Sequence, residues 1–566
     1  MSDFNCKLVR DSRINDISTQ ISFGVHKGAS NNTFQSFPAI AVSDSMVNVS
    51  VQCPSENIII DRNILIDTDV SFTLGVSGSV PSGSKCIEYG LNESLQAFPF
   101  NSLVSSSNCT INDTNVTVQL QEVLPVLLRL NSSRELCKWN GLCPSLPDQG
   151  YKKFSDMAGT PQNPLGDFSN SGYDSDLLPR GSHPIEIVAV RHYRSTAPNT
   201  PHVYTSEENA IALYLISTNL ADRWEIDFKF HTTEPLIGLS PWTMGGEKFN
   251  SQGLPGINGL NFVWNIDSTC KRLFSSASPY PMTLKLGATP FSGFKLLVNF
   301  LSAQPSDLIN PKNVLPYVSF PRYISSNNGL LNPGQTLTYT SQTVQLSQIP
   351  DYFILCARRP MGSQTCKHTS SFLPISKIDI TFNNMSGILA SATQQDLFRL
   401  SKKNGSTQNW YEFSGYANRC KDGLTSTVST TGSLLMLNPA YDMSLPEYLS
   451  SSSIGQFTFQ YNIRVTNNDS DAYQPELMLI CVNSGVFTTV SGQSSIKSGL
   501  LTKELVMNCT MNEGSNTSSS AIINEMQGGS MRFNSVYKKM PGDVIKFSKG
   551  GAMSGGGHIG NLADMC

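Results

Sequence analysis

The chain has 566 residues, of which 15% are charged and 39% hydrophobic, with a formal net charge of −3. That length exceeds one ordinary core and points to about two to four units, and the near-neutral charge excludes a strongly basic nucleic-acid binder. Charged residues fall well below the roughly 25% of an ordinary soluble protein, which suits an exterior covered by copies of the chain or by glycans.

In chain order, the start from Met1 to Lys7 is polar and lacks the apolar core of a signal peptide. The 13 cysteines, odd in number and without a Cys-x-x-Cys pair, are therefore expected to be mostly reduced, with no disulfide framework and no zinc module. A strand is expected from Ile58 to Leu65. Thr110 to Leu120 alternates through Val116, Val118 and Leu120 as a strand does, and Val123, Leu124, Val126, Leu127 and Leu130 predict a short apolar helix. Trp139-Asn140-Gly141 follows. The Gly- and Pro-rich stretch from about 141 to 184 reads as a long loop that projects or wraps.

Strands are next expected from Ile185 to Val190, Leu260 to Trp264 and Met282 to Leu286. Between them Trp224, Ile226, Phe228 and Phe230 alternate with Glu225, Asp227, Lys229 and His231, the period-two pattern of a strand with one wet face. Pro311, Pro316 and Pro321 punctuate a linker at about 305–321. No apolar run reaches the roughly 18 residues of a spanning helix.

Beyond the linker, Tyr352 to Cys356 is apolar on both faces, as for a strand sandwiched between layers. Ile378, Ile380 and Phe382 alternate with polar residues as a surface strand. Thr393 caps a helix with Asp396 at its third position, Leu397 and Leu400 share a face, and Asn404-Gly405 stops it. Trp410, Tyr411 and Phe413 come next, and strands follow from Phe457 to Val465 and Leu477 to Val482. Strand, short helix, turn and tryptophan thus occur twice in one order. Ile111 to Ile378 is a displacement of 267 residues and Trp139 to Trp410 one of 271, which points to a duplicated β-sandwich.

Catalytic patterns are weak. Glu225, Asp227 and His231 share one face of a strand, but the opposite face is wholly apolar, so they read as the solvent side rather than as an acid–base pair or ligand set. The remaining histidines form no ligand-spaced group, and Cys356, Cys366 and His368 lack a second ligand pair. No Walker loop, dinucleotide fingerprint or nucleophile elbow is present. No catalytic residue, metal or cofactor is expected, and Trp410, Tyr411 and Phe413 read as packing or an interface anchor more than as a sugar platform.

Several ordered motifs resemble the major capsid proteins of virophages, with Polinton-type and related double-jelly-roll viruses as wider relatives. They are Asn163-Pro164-Leu165-Gly166, Leu178-Pro179-Arg180-Gly181-Ser182, Val344-Gln345-Leu346-Ser347-Gln348-Ile349-Pro350, Gly387-Ile388-Leu389 before the helix, and Trp410-Tyr411-Glu412-Phe413-Ser414-Gly415, spread between about residues 35 and 500. The resemblance implies an all-β fold of two jelly-roll sandwiches in tandem, a double jelly roll with short helices in its loops. The expected division is 1–314 for the first roll, 315–510 for the second and 511–566 for a flexible C-terminal tail. The implied function is that of a major capsid protein whose homotrimers tile an icosahedral shell, made in the host cytoplasm and residing in the virion. Implied partners are neighbouring capsomers and penton and minor capsid proteins. A receptor- or carbohydrate-binding spike on the same sandwiches is the competing reading, and a glycan-active enzyme is disfavoured for want of a carboxylate pair.

The tail is rich in Gly, Ser, Asn and Met. Met526-Gln527-Gly528-Gly529-Ser530 and Met553-Ser554-Gly555-Gly556-Gly557 both fit Met-x-Gly-Gly-x, which looks like the recognition pattern of adenovirus-type maturation cysteine proteases. A viral cysteine protease is thus an expected partner, since small residues let an extended substrate enter a narrow cleft. Between these sites Arg532, Lys538, Lys539, Lys546 and Lys549 stand against Asp543 alone, a basic segment suited to weak contact with a genome or an inner membrane.

Overall fold

Strict alternation turns most of this chain into strands: along Leu65–Ser77 every second residue is buried and every other one half-buried, and Gly259–Ile266 does the same. The computed structural model describes residues 28–499 except 56–57, 79–86, 88, 90–92, 132–134, 137, 148–182, 205–221, 243–252, 277–279, 306–311, 327, 367, 369–370, 422–423, 447–448 and 491. The expected tail at 511–566, with its cleavage motifs and basic segment, and most of the long loop at 141–184 lie outside the described residues.

The first half holds β1 (Asn31–Pro38), β2 (Ala41–Val42), β3 (Met46–Gln52), β4 (Ile58–Ile60), β5 (Leu65–Ser77), β6 (Glu93–Leu95), β7 (Val104–Ile111), β8 (Thr114–Val118), β9 (Glu186–Arg194), β10 (Ala197–Tyr204), β11 (Arg223–Pro235), β12 (Gly259–Ile266), β13 (Phe274–Ser276) and β14 (Met282–Ser302), with helices α1 (Pro99–Leu103) and α2 (Leu120–Leu130). The second half holds β15 (Lys312–Ser319), β16 (Arg322–Ser325), β17 (Thr336–Thr340), β18 (Val344–Gln348), β19 (Tyr352–Arg358), β20 (Ile375–Phe382), β21 (Met385–Ile388), β22 (Tyr416–Lys421), β23 (Leu424–Ser429), β24 (Leu435–Leu437), β25 (Ile454–Thr466), β26 (Glu476–Val490) and β27 (Gln493–Ser498), with α3 (Gln394–Lys403), α4 (Trp410–Ser414) and α5 (Pro439–Asp442).

One sheet runs β1-β14-β5-β11-β9-β10 and faces a second, β2-β3-β12-β7-β8. The plan then repeats, β15-β26-β19-β24 facing β17-β25-β20-β21, with β18 also on β25. Within the larger sheets of the first half, β1-β14-β5-β11 corresponds to β15-β26-β19-β24 and β3-β12-β7-β8 to β17-β25-β20-β21, and each set of two is that of a jelly roll.

The register of the duplication is sharper than the sequence suggests. Val104–Ile111 and Ile375–Phe382 are both eight-residue strands, and each is followed by an asparagine in the left-handed region, Asn112 at φ 53° and Asn383 at φ 51°. Asn112 Oδ1 accepts the Asn258 N–H at 2.8 Å, and its own N–H donates to Gly259 O at 3.0 Å. Asn383 Oδ1 accepts the Thr458 N–H at 2.8 Å, and the backbone N–H of Asn383 donates to Thr458 O at 2.8 Å. Asparagine tolerates this backbone, and its side chain bridges to the next strand. The displacement is thus 271 from β7 and β20 through the following turn to Trp139 and Trp410, and pairing Ile111 with Ile378 slips by four residues.

Other boundaries also shift. The strand expected from Ile58 to Leu65 is broken after Ile60, where Asp61 Oδ1 accepts the Asn63 N–H at 3.0 Å in a turn. Thr110 to Leu120 is a hairpin of β7 and β8 running into α2. The proline-dotted stretch at 305–321 is not linker throughout: Lys312–Ser319 pairs with β26, Pro316 opposite Val486. A proline is tolerated there because β15 lies at the sheet edge, where no second ladder needs the N–H that proline lacks. That strand straddles the expected division at 314/315.

Two apolar clusters result. One fills the second sandwich, with Phe353, Leu355, Leu435, Leu479 and Phe459. The other fills the first sandwich and continues onto the outward face of the second through Tyr352, Ile354, Cys356, Met436, Met478 and Ile480. Hence all seven residues of β19 are buried: alternate side chains enter different cores, as expected for a strand between layers.

Candidate functional site

Glu225, Asp227 and His231 lie on β11 facing away from the first core, as the alternation requires. They form a cross-strand ionic ladder. Arg191 of β9 makes a two-pronged contact with Asp227 at 2.6 and 2.7 Å and reaches Glu225 at 3.4 Å. His231 lies 2.8 Å from Asp69 and 3.4 Å from Asp67, and Lys229 and Lys295 bind the same two aspartates at 3.1 and 3.2 Å. Burial works against the Asp69 charge, yet His231 and Lys229 hold its carboxyl below the usual range. Each acid is neutralised by a neighbour, which organises the sheet surface and leaves no poised acid–base pair.

Two further clusters escaped the sequence reading. Glu234 is fully buried, accepting the N–H groups of Phe100 and Asn101 at 2.7 and 2.9 Å, Asn101 Nδ2 at 2.8 Å and the Thr232 hydroxyl at 2.9 Å. Burial pushes its carboxyl up and these donors offset part of that cost, so it anchors the first turn of α1. His368, Asp469 and Asp471 bring ligand-capable atoms within 4.8 Å of one another. Arg359 already supplies the positive charge there, at 2.9 Å from Asp469 and 3.2 Å from Asp471 with its guanidinium 4.5 Å from the Tyr473 ring. His368 Nδ1 accepts the Thr365 N–H at 2.9 Å, leaving Nε2 toward Asp471 at 3.9 Å. That set suits an arginine latch better than a metal, whose ligands would have to displace the guanidinium. Cys356 and Cys366 are buried in the apolar layer, and burial pushes the Cys356 thiol up to about 12, which suits packing rather than ligation.

The most elaborate polar site joins the two sandwiches. Helix α2 is apolar almost all round, as a helix enclosed on every side must be. Its Glu122 bonds Arg322 of β16 and lies 3.9 Å from Arg358 of β19, which also reaches Glu476 of β26 at 3.5 Å. The Thr407 hydroxyl donates to Arg129 O at 2.6 Å, and the Arg129 guanidinium lies 5.5 Å over the Phe372 ring. Ser494 of β27 donates its N–H to Asp113 in the β7–β8 turn at 2.9 Å. An apolar layer crossed by a few paired charges favours one mutual orientation.

Trp410, Tyr411 and Phe413 form α4, a helix the sequence reading missed. Asn409 and Glu412 make a capping box and Gly415 at φ 82° ends it. Phe413 is buried and Trp410 packs edge-on to Phe398 at 5.4 Å, whereas Tyr411 is 60% exposed. Two of the three are thus packing residues. Among the described residues Phe34 at 77%, Tyr441 at 74% and Tyr416 at 41% are the other exposed large rings.

A tandem jelly roll belongs to a class of fold that serves in viral capsid and lectin domains. Comparison with known proteins places it more closely. Residues 2–301 match the family described as the first domain of the Sputnik virophage major capsid protein, and residues 320–485 match the C-terminal domain of the major capsid protein V20. The chain therefore belongs to the virophage major capsid protein family, and it is a virion structural protein rather than an enzyme. It is 24% identical over 528 residues to a putative capsid protein V20 of Sputnik virophage, covering 90% of this chain and 82% of that protein. In fold it is similar to the chain in the 3.5 Å cryo-electron microscopy structure of the Sputnik virophage, with TM-score 0.74, 23% identity, and 92% and 98% of the two chains covered. The crystal structure of the mavirus major capsid protein gives TM-score 0.66, 14% identity, and 91% and 99% coverage.

Proposed function

We propose that three copies close into a capsomer of near-sixfold outline and that these capsomers tile an icosahedral shell. The observation that supports this is the duplication itself: two sandwiches in one strand order let three chains present six similar units around a ring. Light scattering on the purified chain tests it, with three times the monomer mass expected and a stable monomer at micromolar concentration contradicting it. Penton and minor capsid proteins would meet the lattice at its specialised positions, and synthesis would take place in the host cytoplasm. We place the division between the rolls within 303–311, between β14 and β15.

The tail is proposed to be cut after Gly529, after Gly556, or both by a viral cysteine protease, because Met526, Gly528 and Ser530 recur in pattern as Met553, Gly555 and Gly557. Arg532, Lys538, Lys539, Lys546 and Lys549 would then lie on the released or inward-facing segment, available to genome or membrane. The intact mass of chains from mature particles decides this, an undiminished chain counting against cleavage.

A further inference from the structure

The second roll buries a carboxylate that no basic side chain neutralises. Asp351 is 3% exposed, and neither of its oxygens has a hydrogen-bond or ionic partner among the described residues. Burial pushes the group up to about 6, which leaves it mostly ionised at pH 7.5. An unpaired ion is among the costliest groups an interior can hold.

Asp351 sits where β26 changes partners. Along one edge β26 pairs with β19 as far as Val482, opposite Tyr352, and with β27 from Gly485, opposite Ser498, so Asn483 and Ser484 fall in the gap. The Asp351 N–H donates to Val482 O at 2.8 Å, which places the residue at the rim of that gap with its carboxyl beside Ser484. Ser484 Oγ lies 3.3 Å from Ser452 Oγ. The Ser452 loop is held there by its own N–H on Ile349 O at 2.7 Å and by the Ile349 N–H on Ser453 O at 3.0 Å. Asn483, opposite Asp351 when the register is carried one step on, has a buried Oδ1 without a partner, and Gln348, at the end of β18 and 8% exposed, has a buried Nε2 without one.

We propose that Asp351, Asn483, Ser484 and Ser452 form a binding site for a small divalent cation, calcium in particular. The donors are two carboxylate oxygens, an amide oxygen and two hydroxyls, the all-oxygen set that hard cations take, and calcium tolerates an irregular arrangement better than magnesium does. A buried water in the same place would supply hydrogen bonds but leave the carboxylate charge uncompensated. With one carboxylate the site is weak, half-saturated on the order of a millimolar. A bound ion ties the corner between β18 and β19, the loop before β25 and the β26–β27 junction together, so the stability of the second roll follows the calcium concentration. The site is independent of how many copies assemble.

Chemical denaturation of the full chain at pH 7.5 tests this. In the presence of a chelator Asp351→Asn is the more stable protein, because it removes the buried charge. Calcium at about ten times its half-saturating concentration should shift the wild-type folding equilibrium about tenfold toward the native state and leave Asp351→Asn where it was, narrowing or reversing that order. Asp471→Asn, which alters the acidic pair beside His368, should keep the wild-type response. A wild-type chain indifferent to calcium, a response retained by Asp351→Asn, or a response lost in Asp471→Asn overturns the assignment.

Discussion

The clearest residue-scale signature is the pair Asn112 and Asn383, which do one job at one place in each roll. Asn383→Ala forces a left-handed backbone on alanine and removes the acceptor of the Thr458 N–H, so chemical denaturation should show a loss of about 1–2 kcal/mol. An unchanged midpoint would argue against the shared turn. Asp351 behaves oppositely. Its carboxyl is buried beside Ser484, which softens the cost of burial, yet neither oxygen reaches hydrogen-bonding geometry, and the group is pushed up to about 6. A carboxyl whose folded value is raised binds more protons in the native state, so stability is fullest below about pH 4 and falls as pH rises through about 6. Asp351→Asn should therefore stabilise the fold by about 2–3 kcal/mol at pH 7.5 and by little at pH 4. Parallel unfolding profiles for the two proteins would refute it. Neither residue was visible in the sequence as special. An asparagine in a turn and an aspartate after a proline are commonplace until the strand opposite each is known.

At the scale of elements, much was legible because periodicity is local. The helix at Gln394–Lys403 was readable from Thr393 and Asp396, which do form the capping box, and its end from Asn404-Gly405. The helix at Trp410–Ser414 used the same device in Asn409 and Glu412 but is too short to show a period, so only its aromatic content was noticed. The double-sided burial of β19 could be read from its composition, while what covers its outer face could not, since α2 lies more than two hundred residues earlier. For the same reason the ladder on β11 was seen as solvent-facing but its Arg191 partner was not. The seam itself makes a prediction. Glu122→Gln leaves the buried Arg358 with Glu476 alone, and the loss should be about 3 kcal/mol, with the single unfolding transition expected of a shared apolar layer splitting toward two. A sharp, unshifted single transition would mean that the seam charges do not hold the rolls together.

For the whole molecule, function lies in how its faces are used rather than in a reactive centre. One sheet face per chain is consumed by joining the rolls, and among the described residues the corresponding face of the first roll carries neutralised charges. The low overall charge that first suggested a covered exterior fits this division, and membership of the virophage major capsid protein family supplies the setting. The most direct test is electron cryo-microscopy of the assembled chain at a resolution that traces strands. A ring of six sandwiches from three chains is the result this account requires. Single chains, or a twofold pairing, would contradict it.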